Sequence, residues 1–339
     1  MQFDLVEFRA VVERNRANRQ NRNFPDRTDD RAVDGCLFPR ITPKFTLDFS
    51  KPLKVFTIGS CFARNIEDVL LKRGVTLPTA AVRTPKGEMP HGRLVLNEFT
   101  PGTMAQRIQY GLNAQPFSLE SLVPSGDDRV ADLLLHGLTN KTKFDVSYER
   151  GVERRGQIDA IYRELRTADV VILTLGFVEA WFDAHTNLYL NRVPPMHFAA
   201  RNPGRFHLVR LDVHQSLSLL DGAIRMLSDL SIKTILTISP VPLHTTFTPV
   251  DCVIANEYSK SVLRVCADEL CRRYDSVDYF PSYEIVRSGG LQNFVEDNVH
   301  VKEEVVALIA DYMMSMYSMD AQDISVLAAV SAEAVTGKS

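Results

Sequence analysis

An apolar run from Lys54 to Ile58 ends at Gly59 and delivers Ser60 and Cys61 onto the start of a helical pattern. A glycine there permits a tight strand-to-helix turn, and side chains beside a helix N-terminus face the positive end of its dipole. A thiol in that position is expected to have its pKa lowered from about 8.5 toward neutrality, whereas a serine hydroxyl needs a positioned base. Cys61 is the favoured nucleophile and Ser60 the alternative. The non-chemical explanation is an N-capping serine beside a small buried residue. About 240 residues later, Asp297-Asn298-Val299-His300 precedes the last amphipathic stretch. Its spacing lets the Asp297 carboxylate fold back under the His300 imidazole and fix the tautomer whose free nitrogen faces a nucleophile. Together these residues point to acyl transfer through a covalent intermediate.

Segments so far apart meet only if the fold brings two chain positions to one edge. Apolar runs predict strands at Lys54 to Gly59, Asp169 to Leu175, Lys233 to Ser239 and Val277 to Phe280. Between them lie helical stripes: Phe62, Ile66, Val69 and Leu70; Leu217, Leu220, Ile224 and Leu227; Val262, Val265, Cys266 and Leu270. A last helix, Lys302 to Met316, closes the domain. This alternation predicts an α/β fold with a mainly parallel sheet, in which ligands bind at the carboxyl ends of the strands. The domain spans residues 51–318, with irregular, Pro- and Gly-punctuated insertions over about 76–156 and 182–210 that are candidate substrate walls. Within the first, a helix is expected near Met104 to Leu112. Residues 1–50 read as an Arg- and Asn-rich extension without core material, with a short helix over Phe3 to Val12, and 319–339 as an Ala-rich tail.

Strand ends supply the other candidate site residues. Gly176 follows the second strand, where its backbone N–H could reach an oxyanion, and Glu179 and Trp181 just beyond it are candidate pocket residues. Pro240-Val241-Pro242-Leu243 follows the third strand as a rigid turn suited to shaping a cleft. Asn256, Ser259 and Lys260 open the next helix and are candidate ligand contacts. His185, His197, His207 and His214 share a region, but their spacings match no common metal-ligand pattern, so no metal is assigned. Neither a Walker sequence nor a Gly-x-Gly-x-x-Gly after a strand is present, which removes support for phosphate-loop chemistry.

A net charge of -3 gives no overall reason to expect nucleic acid or an anionic membrane as partner. No run approaches the roughly 18 apolar residues that span a bilayer, and charges at Asp4 and Glu7 interrupt any signal-peptide pattern. A cytoplasmic location is therefore expected. Five cysteines without a C-x-x-C spacing indicate neither a disulfide framework nor a zinc site.

Gly59-Ser60-Cys61-Phe62-Ala63 reads as the motif that names the GSCFA domain family, a branch resembling the SGNH (GDSL-like) hydrolase superfamily. Thr174-Leu175-Gly176, Ile238-Ser239-Pro240-Val241-Pro242-Leu243, Asn256 to Ser261 and Tyr279 to Glu284 agree with that resemblance. It implies a three-layer α/β/α, flavodoxin-like fold and ester or acyl-transfer chemistry, with His300 fitting the final Asp-x-x-His block. It requires no cofactor. Acyl-CoA enters as a co-substrate and a carbohydrate hydroxyl as an acceptor, as in surface-polysaccharide acyltransferases, including acetyl transfer, that carry a cysteine at this turn. One departure stands out: Gly176-Phe177-Val178 replaces the usual Gly-x-Asn, so the oxyanion asparagine is missing there and Asn97 is the possible substitute. A non-catalytic binding or scaffold protein with a degraded site is the alternative.

Overall fold

The structure, a computed structural model, describes residues 7–18, 21–88, 90, 92–126, 128–136 and 144–319. At its centre four parallel strands stand side by side in chain order: β1 (Val55–Ile58), β2 (Val170–Leu175), β3 (Lys233–Ile238) and β4 (Val277–Tyr279). Single parallel bridges, Lys54 to Thr76 and Gly59 to Asn97, add a fragment of a further strand on the free side of β1. That places β1 between the segment that next follows it in the chain and β2, the 2-1-3-4-5 arrangement of flavodoxin-like sheets with its second strand reduced to bridges.

Both faces are covered because the strands are apolar on both sides. Phe56, Ile58, Val171, Leu173, Leu175, Leu236 and Ile238 point to one face. Against them pack α2 (Pro101–Leu112), α3 (Tyr148–Arg163), α4 (Val213–Asp229) and α5 (Cys252–Arg273). Val55, Val170, Ile172 and Ile235 point the other way, onto α1 (Cys61–Lys72), α6 (Ser282–Ser288) and α7 (Glu303–Tyr317). Alternation along each strand follows from the two-residue repeat of the pleat, and the result is a three-layer α/β/α domain.

Residues 31–50 differ from expectation. Cys36, Phe38 and Leu47 are buried against α6 and α7, and the Leu47 N–H donates to the Tyr317 carbonyl. Part of the extension thus completes the core, since α7 leaves an apolar flank that the sheet cannot cover. The N-terminal helix runs from Phe8 to Ala17, five residues beyond the expected end at Val12, while residues 3–6 and the tail from 321 lie outside the described residues.

The two insertions also carry more regular structure than their prolines and glycines suggested. Helix α3 runs through Gly151 and Gly156, capped by the Ser147 hydroxyl, which accepts from the Arg150 N–H at 3.3 Å. Before it, Leu122–Gly126 and Arg129–Asp132 form an antiparallel pair. In the second insertion Glu179–Asp183 pairs with both Leu188–Leu190 and Phe206–Arg210. Phe117, Val123, Leu133, Leu134, Leu188 and Leu190 join the two insertions in a small satellite core. These strands are short and become stable only against each other, which a local reading of either segment does not show.

Candidate active site

Four residues converge above the carboxyl end of β1. Ser60, Cys61, Asn97 and His300 all line one cavity of about 340 Å³, beside the switch point where β1 meets neighbours on opposite sides. The turn that presents the nucleophile candidates needs a glycine for space. A Cβ on Gly59 would stand 2.7 Å from the Cβ of Thr174 on β2, well inside contact distance. Ser60 is the N-cap of α1 with extended backbone, but its side chain makes no capping bond, and Cys61 is the first helical residue. The helix is held from behind. Glu67, fully buried on α1, accepts from Thr57 Oγ1, from Arg64 Nη1 at 2.6 Å, from Thr79 Oγ1 at 2.6 Å and from Arg93 Nη1 at 2.9 Å.

The Cys61 thiol differs from the expectation of a depressed pKa. Burial pushes it above its ordinary value, while the backbone amides of Phe62 and Cys61, the Ser60 hydroxyl and the Lys260 charge pull the other way without reversing the shift. Desolvation penalises the thiolate more than the helix end favours it. At neutral pH the group is a thiol that must hand its proton to a base.

His300 lines the cavity beside its carboxylate partner Asp297. Its Nδ1 lies 2.6 Å from Asp297 Oδ2, and Asp297 Oδ1 accepts from the backbone N–H groups of Val299 and His300. The bond to His300 holds the Asp297 carboxyl down at about 2. An ionised Asp297 fixes the Nδ1–H tautomer and leaves Nε2 as the acceptor. Both side chains are substantially exposed, so the dyad sits on the rim of the cavity.

The oxyanion assignments divide. The Gly176 N–H is not free: Phe99 O accepts from both Gly176 N and Phe177 N at 3.2 and 3.1 Å, and a Cβ on Gly176 would meet that same carbonyl at 2.6 Å. The glycine is needed for this close clamp, and its amide is spent on it. Asn97 lines the same cavity as Ser60 and Cys61. It bridges to Gly59, its carbonyl accepts from Asn191 Nδ2 at 3.1 Å, and the next amide, Glu98 N, donates to Gly59 O at 3.0 Å. Beneath it Glu98 accepts from Arg107 Nε at 2.7 Å and from Asn191 Nδ2, in a fully buried cluster. Burial raises the Glu98 pKa against the opposing pull of Arg107.

Glu179 and Trp181 line the cavity from the strand Glu179–Asp183. Glu179 has a second role, since its carboxylate accepts from Thr246 Oγ1 at 2.6 Å and Phe247 N at 2.9 Å and so holds the turn after β3. Asn256, Ser259 and Lys260 stand behind the wall and not in it. Asn256 Oδ1 accepts from Leu243 N, Ser259 Oγ from Val178 N, and Lys260 Nζ donates to Gly176 O and Val241 O at 2.8 and 2.9 Å. They fasten the loops that form the cavity. Burial draws the Lys260 amine down to about 7.

Several lining residues had no signal in the sequence. His136 is half-buried with its ring 4.6 Å from that of Phe99, and desolvation lowers its pKa to about 4, so it is a neutral imidazole in the cavity wall. Asn191 and Arg192 arrive from the second insertion, and Phe247 packs edge-on to Trp181 at 5.3 Å. Only pairing of distant segments makes them neighbours. His185, His197, His207 and His214 are all exposed, and no group of His, Cys, Asp and Glu able to hold a metal ion occurs among the described residues. No helix among them is long and apolar enough to cross a membrane.

Among solved structures, a GDSL-like lipase from Bacteroides thetaiotaomicron is similar to the chain at 10% identity and a TM-score of 0.35, over 77% of this chain and 87% of that one. No curated protein matches it. A family profile, by contrast, covers residues 54–313, from the first residue before β1 through the nucleophile turn and the Asp297–His300 pair into α7. By that match the chain belongs to the GSCFA family.

Proposed function

We propose that the protein is an SGNH-like acyl-transfer enzyme that works through a covalent acyl-enzyme at Cys61. The observation that supports this reading best is a shared cavity: nucleophile candidates, a substitute for the oxyanion asparagine, and a carboxylate-oriented imidazole all line it. In the proposed first step the Cys61 thiol attacks the carbonyl carbon of an ester or thioester while its proton passes to His300 Nε2. The oxygen that becomes negative lies toward Asn97 and the first-turn amide of Cys61, which has no intrahelical partner. Collapse of this intermediate expels the alcohol or thiol, which takes the proton back from His300. Water or an acceptor hydroxyl then attacks the thioester by the same route, His300 again removing the proton. Ser60 is the alternative nucleophile. Acyl-CoA as donor, a carbohydrate hydroxyl as acceptor and the cytoplasmic location that would give access to acyl-CoA belong to this proposal.

A thiol held protonated and a Gly176 amide already engaged favour a second reading, a binding protein that keeps the fold with a degraded site. Acyl capture separates the two. The full chain is incubated with acetyl-CoA, hexanoyl-CoA or the corresponding p-nitrophenyl esters and weighed. The enzyme reading expects an acyl adduct that is lost in Cys61→Ala and kept in Ser60→Ala. Absence of any adduct and of turnover, with ligand affinity unmoved by His300→Ala, would favour the binding protein.

A further inference from the structure

The cavity sets a few buried polar groups among many aromatic and aliphatic lining residues. Its polar groups sit on the sheet edge: Ser60 follows β1, Ser239 follows β3, and Asn97 bridges to Gly59. Ser60 Oγ, Ser239 Oγ and Asn97 Oδ1 are buried without hydrogen-bond partners, which leaves polar capacity for a bound group. Apolar lining comes from the insertions and from the segments after β2 and β3: Phe99, Phe177, Trp181, Leu190, Leu208 and Val241.

Of the charged side chains in the described lining, Arg192 is ion-paired, whereas the Glu179 carboxylate is held only by neutral donors. Glu179 is engaged by Thr246 and Phe247, and Arg192 Nη1 is paired with Asp145 Oδ1 at 2.9 Å, both partners of that pair almost fully buried. An anionic substituent entering the cavity would lose its hydration, face the Glu179 carboxylate and meet no unpaired guanidinium or ammonium group among the described lining residues. Size adds a second constraint. A dry apolar cavity of about 150 Å³ is enough for benzene, and this one holds about 340 Å³. An acetyl group would leave most of it filled with water against aromatic and aliphatic walls.

Resting on the acyl-transfer reading, we infer that the substrate's acyl group carries no negative charge and is extended, on the order of six to eight carbons or an aryl equivalent, and not acetyl. Its carbonyl lies at the polar sheet edge among Ser60, Cys61 and Asn97, and its chain runs along the apolar walls. Each methylene that enters such a site gains about fourfold in affinity, so hexanoyl is favoured over acetyl on the order of 10²-fold.

Two measurements on the full chain test this independently of one another. Calorimetric titration with acetamide, butyramide, hexanamide and octanamide reads binding in the cavity, with mass spectrometry of the titrated mixture to verify that the amides stay intact. Affinity is expected to climb about fourfold per methylene until the cavity is filled. Leu208→Trp and Val241→Phe, which add bulk to the apolar lining, should each reduce the hexanamide-to-acetamide affinity ratio about tenfold or more, with thermal unfolding run in parallel to show that each variant is folded. The second measurement is kcat/KM for acetyl-, butyryl- and hexanoyl-CoA thioesters, expected to rise in the same order. Affinity independent of chain length, a ratio unmoved by both folded variants, or no amide binding at all overturns the inference. Turnover confined to acetyl esters also overturns it while leaving the acyl-transfer reading intact. Length-dependent amide binding without turnover of any thioester supports the cavity's preference and removes the enzymatic reading.

Discussion

Cys61 and Ser60 are neighbours in sequence, yet their surroundings give them different chemistry. Because burial raises the Cys61 thiol, its alkylation by iodoacetamide is expected to be slow at neutral pH and to climb about tenfold per pH unit with no plateau below about pH 9. Mass spectrometry of the Cys61 peptide measures this; a plateau near neutrality would mean a thiolate and a different first step. For the dyad, Asp297→Asn and His300→Ala should each lower kcat by about 10²- to 10⁴-fold. Asp297 is held at about 2 by its bond to His300, so it stays ionised until the solution is strongly acidic. Its contribution is therefore present above that value and lost only as pH falls through it. Asp297→Asn should depress the whole pH profile of kcat/KM, and a mere shift of its acid limb would contradict the positioning role.

The element that carries Cys61 is α1, and two contacts fix it. Gly59 allows β1 to turn against Thr174, so Gly59→Ala is expected to cost about 1–3 kcal/mol through overpacking. Glu67 gathers Thr57, Thr79, Arg64 and Arg93 under the helix. Glu67→Gln leaves buried guanidinium charge without its partner, a loss of about 3–5 kcal/mol. Urea unfolding measures both changes, and a Glu67→Gln protein of unaltered stability would show that the cluster does not hold the helix. The strand–glycine–helix order of this element was legible in the sequence because it depends on residues adjacent in the chain. Asn97 was harder to place. Its pairing with Gly59 is a single bridge between distant segments, and no periodicity announces a strand reduced to one residue.

Across the whole molecule, Lys260 ties two cavity loops together, from Gly176 after β2 to Val241 after β3. Its amine falls to about 7 in the fold, whereas in the unfolded chain it keeps its proton to about pH 10.4. Between those values the unfolded state binds more protons, so stability rises with pH over this range and the cost of the buried charge is full below it. Between about pH 7 and about pH 8, before unfolded thiols ionise, wild type should gain about 1 kcal/mol relative to Lys260→Met. Chemical unfolding of both proteins at the two pH values checks this, and parallel slopes would place the titration elsewhere. The same scale explains why the insertions were only partly legible. Their strands and satellite core form between segments that carry weak local signals, and His136 and Arg192 reach the cavity only through that assembly.

The amino-acid sequence determined the four parallel strands, the glycine turn and the Asp297–His300 pair, because apolar periodicity, turn geometry and a three-residue spacing are properties of neighbouring residues. Tertiary structure alone decided which groups are available to react. The Gly176 amide is occupied by Phe99, Lys260 is drawn behind the wall, residues 31–50 close the core, and the Cys61 thiol is raised where a helix end by itself would lower it. Desolvation and hydrogen-bond occupancy depend on what distant parts of the chain place around a group, and that information is fixed only when the layers pack.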